Sequence, residues 1–215
     1  MATKAWLTKL LQAVEAGATF HVVDTETTGS SARGARVIEL ATVTVQGGRI
    51  VDRFETLIDP GVTVPYWITR ITGIDTRMIQ GAPGPSEAWG RWMDYLGPGG
   101  HFVAHNAPFD WGFLTAEFAR DARDWPFAHR HCTVQLARHC LPTLPSRSLE
   151  ALIAHYRIQV PARHRALADA EATADIFLRL LDSLGASASA EQRLDLLQAP
   201  IQGLGVDGLL RPEGR

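Results

Sequence analysis

Cysteine is scarce in this chain: Cys132 and Cys140 are the only two among 215 residues, and no CxxC pair occurs. That excludes a disulfide framework and a thiolate zinc site, and it points to a reducing, cytoplasmic setting. Long apolar runs are missing too, since no stretch approaches the ~20 residues of a membrane span. The opening MATKAWLTKLLQAVEAG instead spaces Trp6, Leu7, Leu10, Leu11 and Val14 helically among Lys4, Lys9 and Glu15. It reads as an amphipathic helix packed on the domain, not as a signal peptide. An excess of one charge is also lacking, because the formal net charge is only −2. Such a balance argues against a broad basic surface gripping long duplexes; any nucleic acid would be held at a site.

What is present is an ordinary core-forming composition, 46% hydrophobic and 20% charged, which suits one globular domain with extensions. ATFHVVDTE reads as a first strand, and VIELATVTV and RIVDRFETLI read as a hairpin joined across Gly47 and Gly48. A Pro-, Thr- and Gly-rich loop is expected from Asp59 to Gly73, then a helix near Glu87–Leu96 and a short fourth strand, HFVAHN. Asp110–Arg120 suits a helix, and HCTVQLARHC a fifth strand or a strand-to-helix segment. Ser148–Tyr156 suits a serine-capped helix, and Leu167–Leu184 a longer one. Three consecutive strands followed by alternating elements imply an α/β fold, a mixed five-stranded sheet flanked by helices. The domain is expected over residues 1–185, with a C-terminal tail, 186–215, loosely ordered or docked.

The chemistry begins in VVDTETTG, where a buried strand runs into Asp24 and Glu26. Unpartnered carboxylates are costly to desolvate, so such a strand end predicts either a solvated turn or a cation. Strand alternation sends Asp24 and Glu26 to one side and Thr25 to the other. A lone DxE is usually just an acidic turn. HNAPFD adds Asp110 beyond the fourth strand; if that strand lies parallel beside the first, Asp110 arrives next to the first pair, although Asp110 could equally cap its helix. HRALADAEATADIF adds His164 and Asp169 at the start of the last long helix. Five helical residues turn about 140°, so His164 belongs to the segment after Pro161 and Asp169 to the helix proper.

Together, DTETTG, HNAPFD and HRALAD resemble the DEDDh exonucleases, the proofreading family that includes the epsilon subunit of bacterial DNA polymerase III. All five defining positions match, and the resemblance spans roughly Ala18 to Leu184. It implies a ribonuclease H-like fold, two Mg²⁺ or Mn²⁺ ions about 4 Å apart, and 3′–5′ release of nucleoside 5′-monophosphates. By the same resemblance Asp24 bridges both ions, Glu26 and Asp169 complete the first, and Asp110 serves the second directly or through water. His164, an imidazole able to change charge near neutral pH, becomes the general base. Thr27, Ile71, Thr72, Asn106 and Phe109 match positions that contact the terminal nucleotide; ITGID is similar to the TGI form of Gram-positive replicative polymerase exonucleases, with Thr72 where others carry His. The implied substrate is a single-stranded or frayed 3′ end, most simply of DNA. The alternatives are an RNA-directed member of the family and a non-catalytic binding module. A DNA polymerase is an implied partner, and QRLDLLQ, Gln192 to Gln198, faintly resembles sliding-clamp peptides. Tyr66 and Trp67 offer stacking surfaces or local packing. Glu39 and Glu55 read as rim residues of the sheet, and Arg33, Arg36 and Arg147 as solvated cations within reach of phosphates.

Overall fold

The computed structural model describes residues 5–161 and 164–185. Its centre is one five-stranded sheet of order β3-β2-β1-β4-β5. The strands are β1 (Phe20–Thr27), β2 (Val37–Gln46), β3 (Arg49–Leu57), β4 (His101–Ala104) and β5 (Arg130–Cys132). Strands β1 to β3 form an antiparallel meander, whereas β4 lies parallel to β1 and β5 parallel to β4. The mixed five-stranded sheet expected from the order of elements is therefore present. Gly47 and Gly48 both take positive φ, 59° and 76°, which lets a two-residue turn close the β2–β3 hairpin.

Both faces of this sheet are buried, and alternation along each strand divides the side chains between two cores. Phe20 and Val22, Ala41 and Val43, and Val103 join a core beneath α1 (Ala5–Glu15), α6 (Thr133–Cys140), α7 (Leu149–Tyr156) and α8 (Ala166–Ser183). Val23, Leu40, Phe102 and Ala104 point the other way, into an aromatic core under α4 (Pro85–Leu96) and α5 (Pro108–Arg120). Trp89, Trp92, Phe113 and Phe118 fill that second core without exposure, and the Trp92 Nε1–H is satisfied by Thr42 Oγ1 at 2.8 Å. Helix α8 is apolar on nearly every side because it lies in the middle of its layer, against β1, β2, α6 and α7.

The stretch expected as a loop from Asp59 to Gly73 holds a short helix, α2 (Tyr66–Thr72), followed by α3 (Thr76–Ile79). Pro65 precedes α2, Gly73 ends it at φ 75°, and Asp75 caps α3 by accepting from Met78 N. Ile68 and Ile79, with Ile38, Val64 and Ile74, make a small third core that pins both helices to the sheet. A helix of 7 residues carries too few turns for its period to stand out among prolines, threonines and glycines. The fifth segment resolves as strand β5 leading into α6, and Ser148 caps α7 through Ala151 N. The tail and the clamp-like stretch Gln192 to Gln198 lie outside the described residues.

Candidate active site

Strand β1 is longer than its parallel neighbour. β4 pairs with it over Phe20–Val22, so the end of β1 carrying Asp24, Thr25 and Glu26 runs on past β4. By parity Asp24 and Glu26 face the same layer as Phe20 and Val22, the layer of α8, and α8 brings Asp169 to them on its first turn. One carboxylate oxygen from each of Asp24, Glu26 and Asp169 lies within 4.8 Å of the others. Thr25 faces the opposite layer, where α5 supplies Asp110. The Thr25 N–H and Oγ1–H both donate to Asp110 Oδ1, at 3.1 and 2.8 Å. With no β4 residue opposite, the Thr25 amide finds its acceptor in that carboxylate. Asp110 does not cap α5; Ala107 holds the cap position and Asp110 sits inside the first turn, where the helix dipole favours a negative charge.

Electrostatics sharpen the picture. Asp24 is held well above the usual carboxylate range, first by burial and then by Asp110, Glu26, Asp169 and Glu39. Burial, then Glu39, Asp169 and Asp110, push Glu26 up to about 8, with Arg165 opposing. Burial raises Asp110 to about 7 against the hydrogen bonds from Thr25 and from its own backbone. Every group acting on Asp24 is an acid. Such a crowded set of hard oxygen donors, offset only in part by Arg165, fits a divalent cation of the Mg²⁺ or Mn²⁺ kind.

His164 stands just before α8 with φ 58°, and its backbone N–H donates to Asp169 Oδ2 at 3.2 Å. Next to it Arg165 forks onto Glu39 Oε1 through Nε and an Nη at 3.0 and 2.6 Å, and Glu39 Oε2 accepts from Ala166 N at 2.8 Å. Glu39 is thus no rim residue. It is fully buried and ties the start of α8 to β2, whereas Glu55 is only half-buried, beside Arg165.

Among the residues expected at the terminal nucleotide, Asn106 is exposed in the loop before α5 with φ 61°, and Phe109 packs on Phe113 at 4.8 Å between ring centres. Ile71 is exposed on α2. Thr72 is buried, its hydroxyl donating to Ile68 O and accepting from Ile74 N, and Thr27 donates to Gly29 O. Both threonine hydroxyls bond to nearby backbone.

Comparison with known proteins decides the family. Residues 21–177 match the exonuclease family RNase_T. The chain belongs to that family. It is 35% identical over 170 residues to DNA polymerase III subunit epsilon of Aquifex aeolicus (strain VF5), covering 77% of this chain and 82% of that protein. To the PolC-type DNA polymerase III of Clostridium perfringens (strain 13 / Type A) it is 38% identical over 157 residues, 73% of this chain but only 11% of that much longer relative. Among solved structures, Exonuclease X in complex with 5′ overhanging duplex DNA superposes with a TM-score of 0.63 at 27% identity, covering 82% of this chain and 98% of that one.

Within this exonuclease domain several contributors escaped the sequence. Thr25 looked like a spacer between two acids, and Glu39 like one of many strand glutamates; only the register that sets Glu39 opposite Glu26 reveals it. Arg36 is no solvated cation either, since it forks onto the buried Glu117 at 2.7 and 2.9 Å, and Arg147 donates to the carbonyls of Leu141 and Pro142.

Proposed function

We propose that this exonuclease domain is a metal-dependent 3′–5′ exonuclease that removes nucleoside 5′-monophosphates from single-stranded or frayed 3′ ends of DNA. The observation carrying this reading is the convergence of Asp24, Glu26 and Asp169 within 4.8 Å, with Asp110 beside them on Thr25. In this reading Asp24, Glu26, Asp110 and Asp169 hold two ions, which when bound supply charge neutralisation at the scissile phosphate and a more acidic water. His164 accepts a proton from the attacking water, held near the site by its backbone link to Asp169. Ile71 and Phe109 offer apolar surface to the last nucleotide and Asn106 offers hydrogen bonds, while Thr27 and Thr72 fix the turns beside it. The near-neutral charge favours a grip on a few nucleotides over tracking along a duplex, so a paired end has to melt before it is cut.

DNA is preferred over RNA because the relatives include a DNA polymerase III subunit epsilon and a PolC-type DNA polymerase III, and Exonuclease X is seen with DNA. Association with a replicative polymerase in the cytoplasm fits the same relatives. The test is a DNA oligonucleotide labelled at either end, beside its RNA counterpart, with Mg²⁺, Mn²⁺ or chelator. The 3′ label is expected to leave first as a mononucleotide, from DNA faster than RNA, and only with metal. Release of the 5′ label first would refute the direction, and activity in chelator would refute the chemistry.

A further inference from the structure

Helix α2 has two unlike faces. Ile68 and Thr72, one turn apart, point into the small core, whereas Trp67 and Ile71, also one turn apart, stand out in solvent at 53% and 51% exposure. Tyr66 beside them is 77% exposed, and Met78 of α3 and Val62 of the preceding loop extend the apolar strip. Large aromatic side chains left in water next to polar surface call for a ligand. The strip reaches the turn that follows the carboxylate-bearing end of β1. A Cβ built on Gly29, three residues beyond Glu26, would lie 4.0 Å from the Trp67 indole, so the indole packs along the turn that leaves β1. Between that turn and the loop before α2 runs a shallow groove of about 420 Å³. Hydroxyl-bearing Thr28, Ser30, Ser31 and Thr63 line it, with Val62 and Pro65.

We infer that Trp67, with Tyr66, is a stacking platform for the bases that follow the terminal nucleotide of a single strand. The inference rests on the proposed exonuclease reading and extends it beyond the scissile bond. If Ile71 touches the last nucleotide, Trp67 stands one helical turn, about 5.4 Å, from it, on the scale of one nucleotide step in an extended strand. A flat indole accepts any base, so the platform favours strandedness without sequence preference. A duplex end cannot offer the same bases, because they are stacked on their own neighbours and paired. The absence of acids among the groove's lining residues leaves room for the backbone, and its hydroxyls give donors for phosphate oxygens.

Two substrates separate this from the catalytic reading. The p-nitrophenyl ester of thymidine 5′-monophosphate fills only the terminal subsite, whereas an oligothymidylate spans the platform. For Trp67→Ala the ratio of oligonucleotide kcat/KM to ester kcat/KM should fall roughly 5- to 100-fold, mostly through KM, and Trp67→Phe should restore most of it. An unchanged ratio would overturn the inference and assign the strip to a protein partner. An equal loss on both substrates would overturn it too, by making Trp67 a structural residue. A wild type inert on both substrates with Mn²⁺ would instead refute the nuclease reading on which the inference stands.

Discussion

Glu26 and Glu39 are direct partners across the β1–β2 ladder, two acids placed where like charges repel. The structure resolves half of that conflict. Glu39, fully buried, is neutralised by the forked Arg165 and by the first amide of α8. Glu26 receives only opposing help from the same arginine and remains pushed up to about 8. One member of the pair is therefore committed to structure, and the other is left wanting a cation.

Metal binding at neutral pH should release protons. Glu26 is pushed up to about 8 by burial and then by Glu39, Asp169 and Asp110, and Asp24 is held well above the usual carboxylate range by burial and then by Asp110 and Glu26, so protons held in the metal-free protein leave when a cation arrives. Titration calorimetry with Mn²⁺ at pH 7, in buffers of different ionisation enthalpy, should report about one proton or more per protein. A heat independent of buffer would contradict the raised carboxylates.

The same shifts set a stability profile. A carboxylate whose folded pKa is raised stabilises the fold below its unfolded value, and that contribution is lost as pH rises through the folded value. The buried His21 and His131, lowered to about 4, act in the opposite sense below about 6.5, where Glu26 is also still changing. The clean window lies above that. In chelator the melting temperature should fall between pH 6.5 and 8.5. Asp24→Asn and Glu26→Gln should flatten the fall, fold normally and be inactive. A steep fall retained in both variants would assign the slope elsewhere.

His164→Ala should lower the turnover of DNA by about 10²-fold or more while substrate binding survives. The pH profile of the rate should differ between wild type and variant. Identical pH profiles would remove His164 from the chemistry.

Glu39 offers a separable test of positioning. Glu39→Ala leaves Arg165 only Glu55, at 3.6 Å, and frees the first amide of α8. Breaking a fully buried pair costs ~3–5 kcal/mol, and with Arg165 about a third exposed the loss should be nearer ~2–3 kcal/mol in chemical denaturation. Glu39→Gln keeps an acceptor for Ala166 N and should lose less. Equal stability of all three proteins would show the clamp to be idle.

The major elements and the carboxylate set were legible because they announce themselves locally. Asp24 and Glu26 follow a strand, Asp110 opens a helix, and Asp169 lies at the start of the longest helix. What was hidden depends on pairing across long sequence distances. The role of Thr25 requires knowing that β4 ends short of it, and that of Glu39 requires the β1–β2 register. Helix α2 was lost to its length, and with it the fact that Trp67 and Ile71 share a face. Arg36 looked like any surface arginine because Glu117, its partner, is 81 positions away in the chain.

Asp169 reaches the site only because α8 threads between the sheet and its neighbouring helices, with most of its length sealed from water. As a protein is made from its N-terminus, β1 with Asp24 and Glu26 leaves the ribosome well before that helix. A nascent chain without α8 lacks one of the carboxylates, and the face of β1 that should receive it is bare. Assembly of the carboxylate set is thereby tied to closure of the largest core. On the proposed reading, nuclease competence arrives with the fold, and the unfinished polypeptide is unarmed.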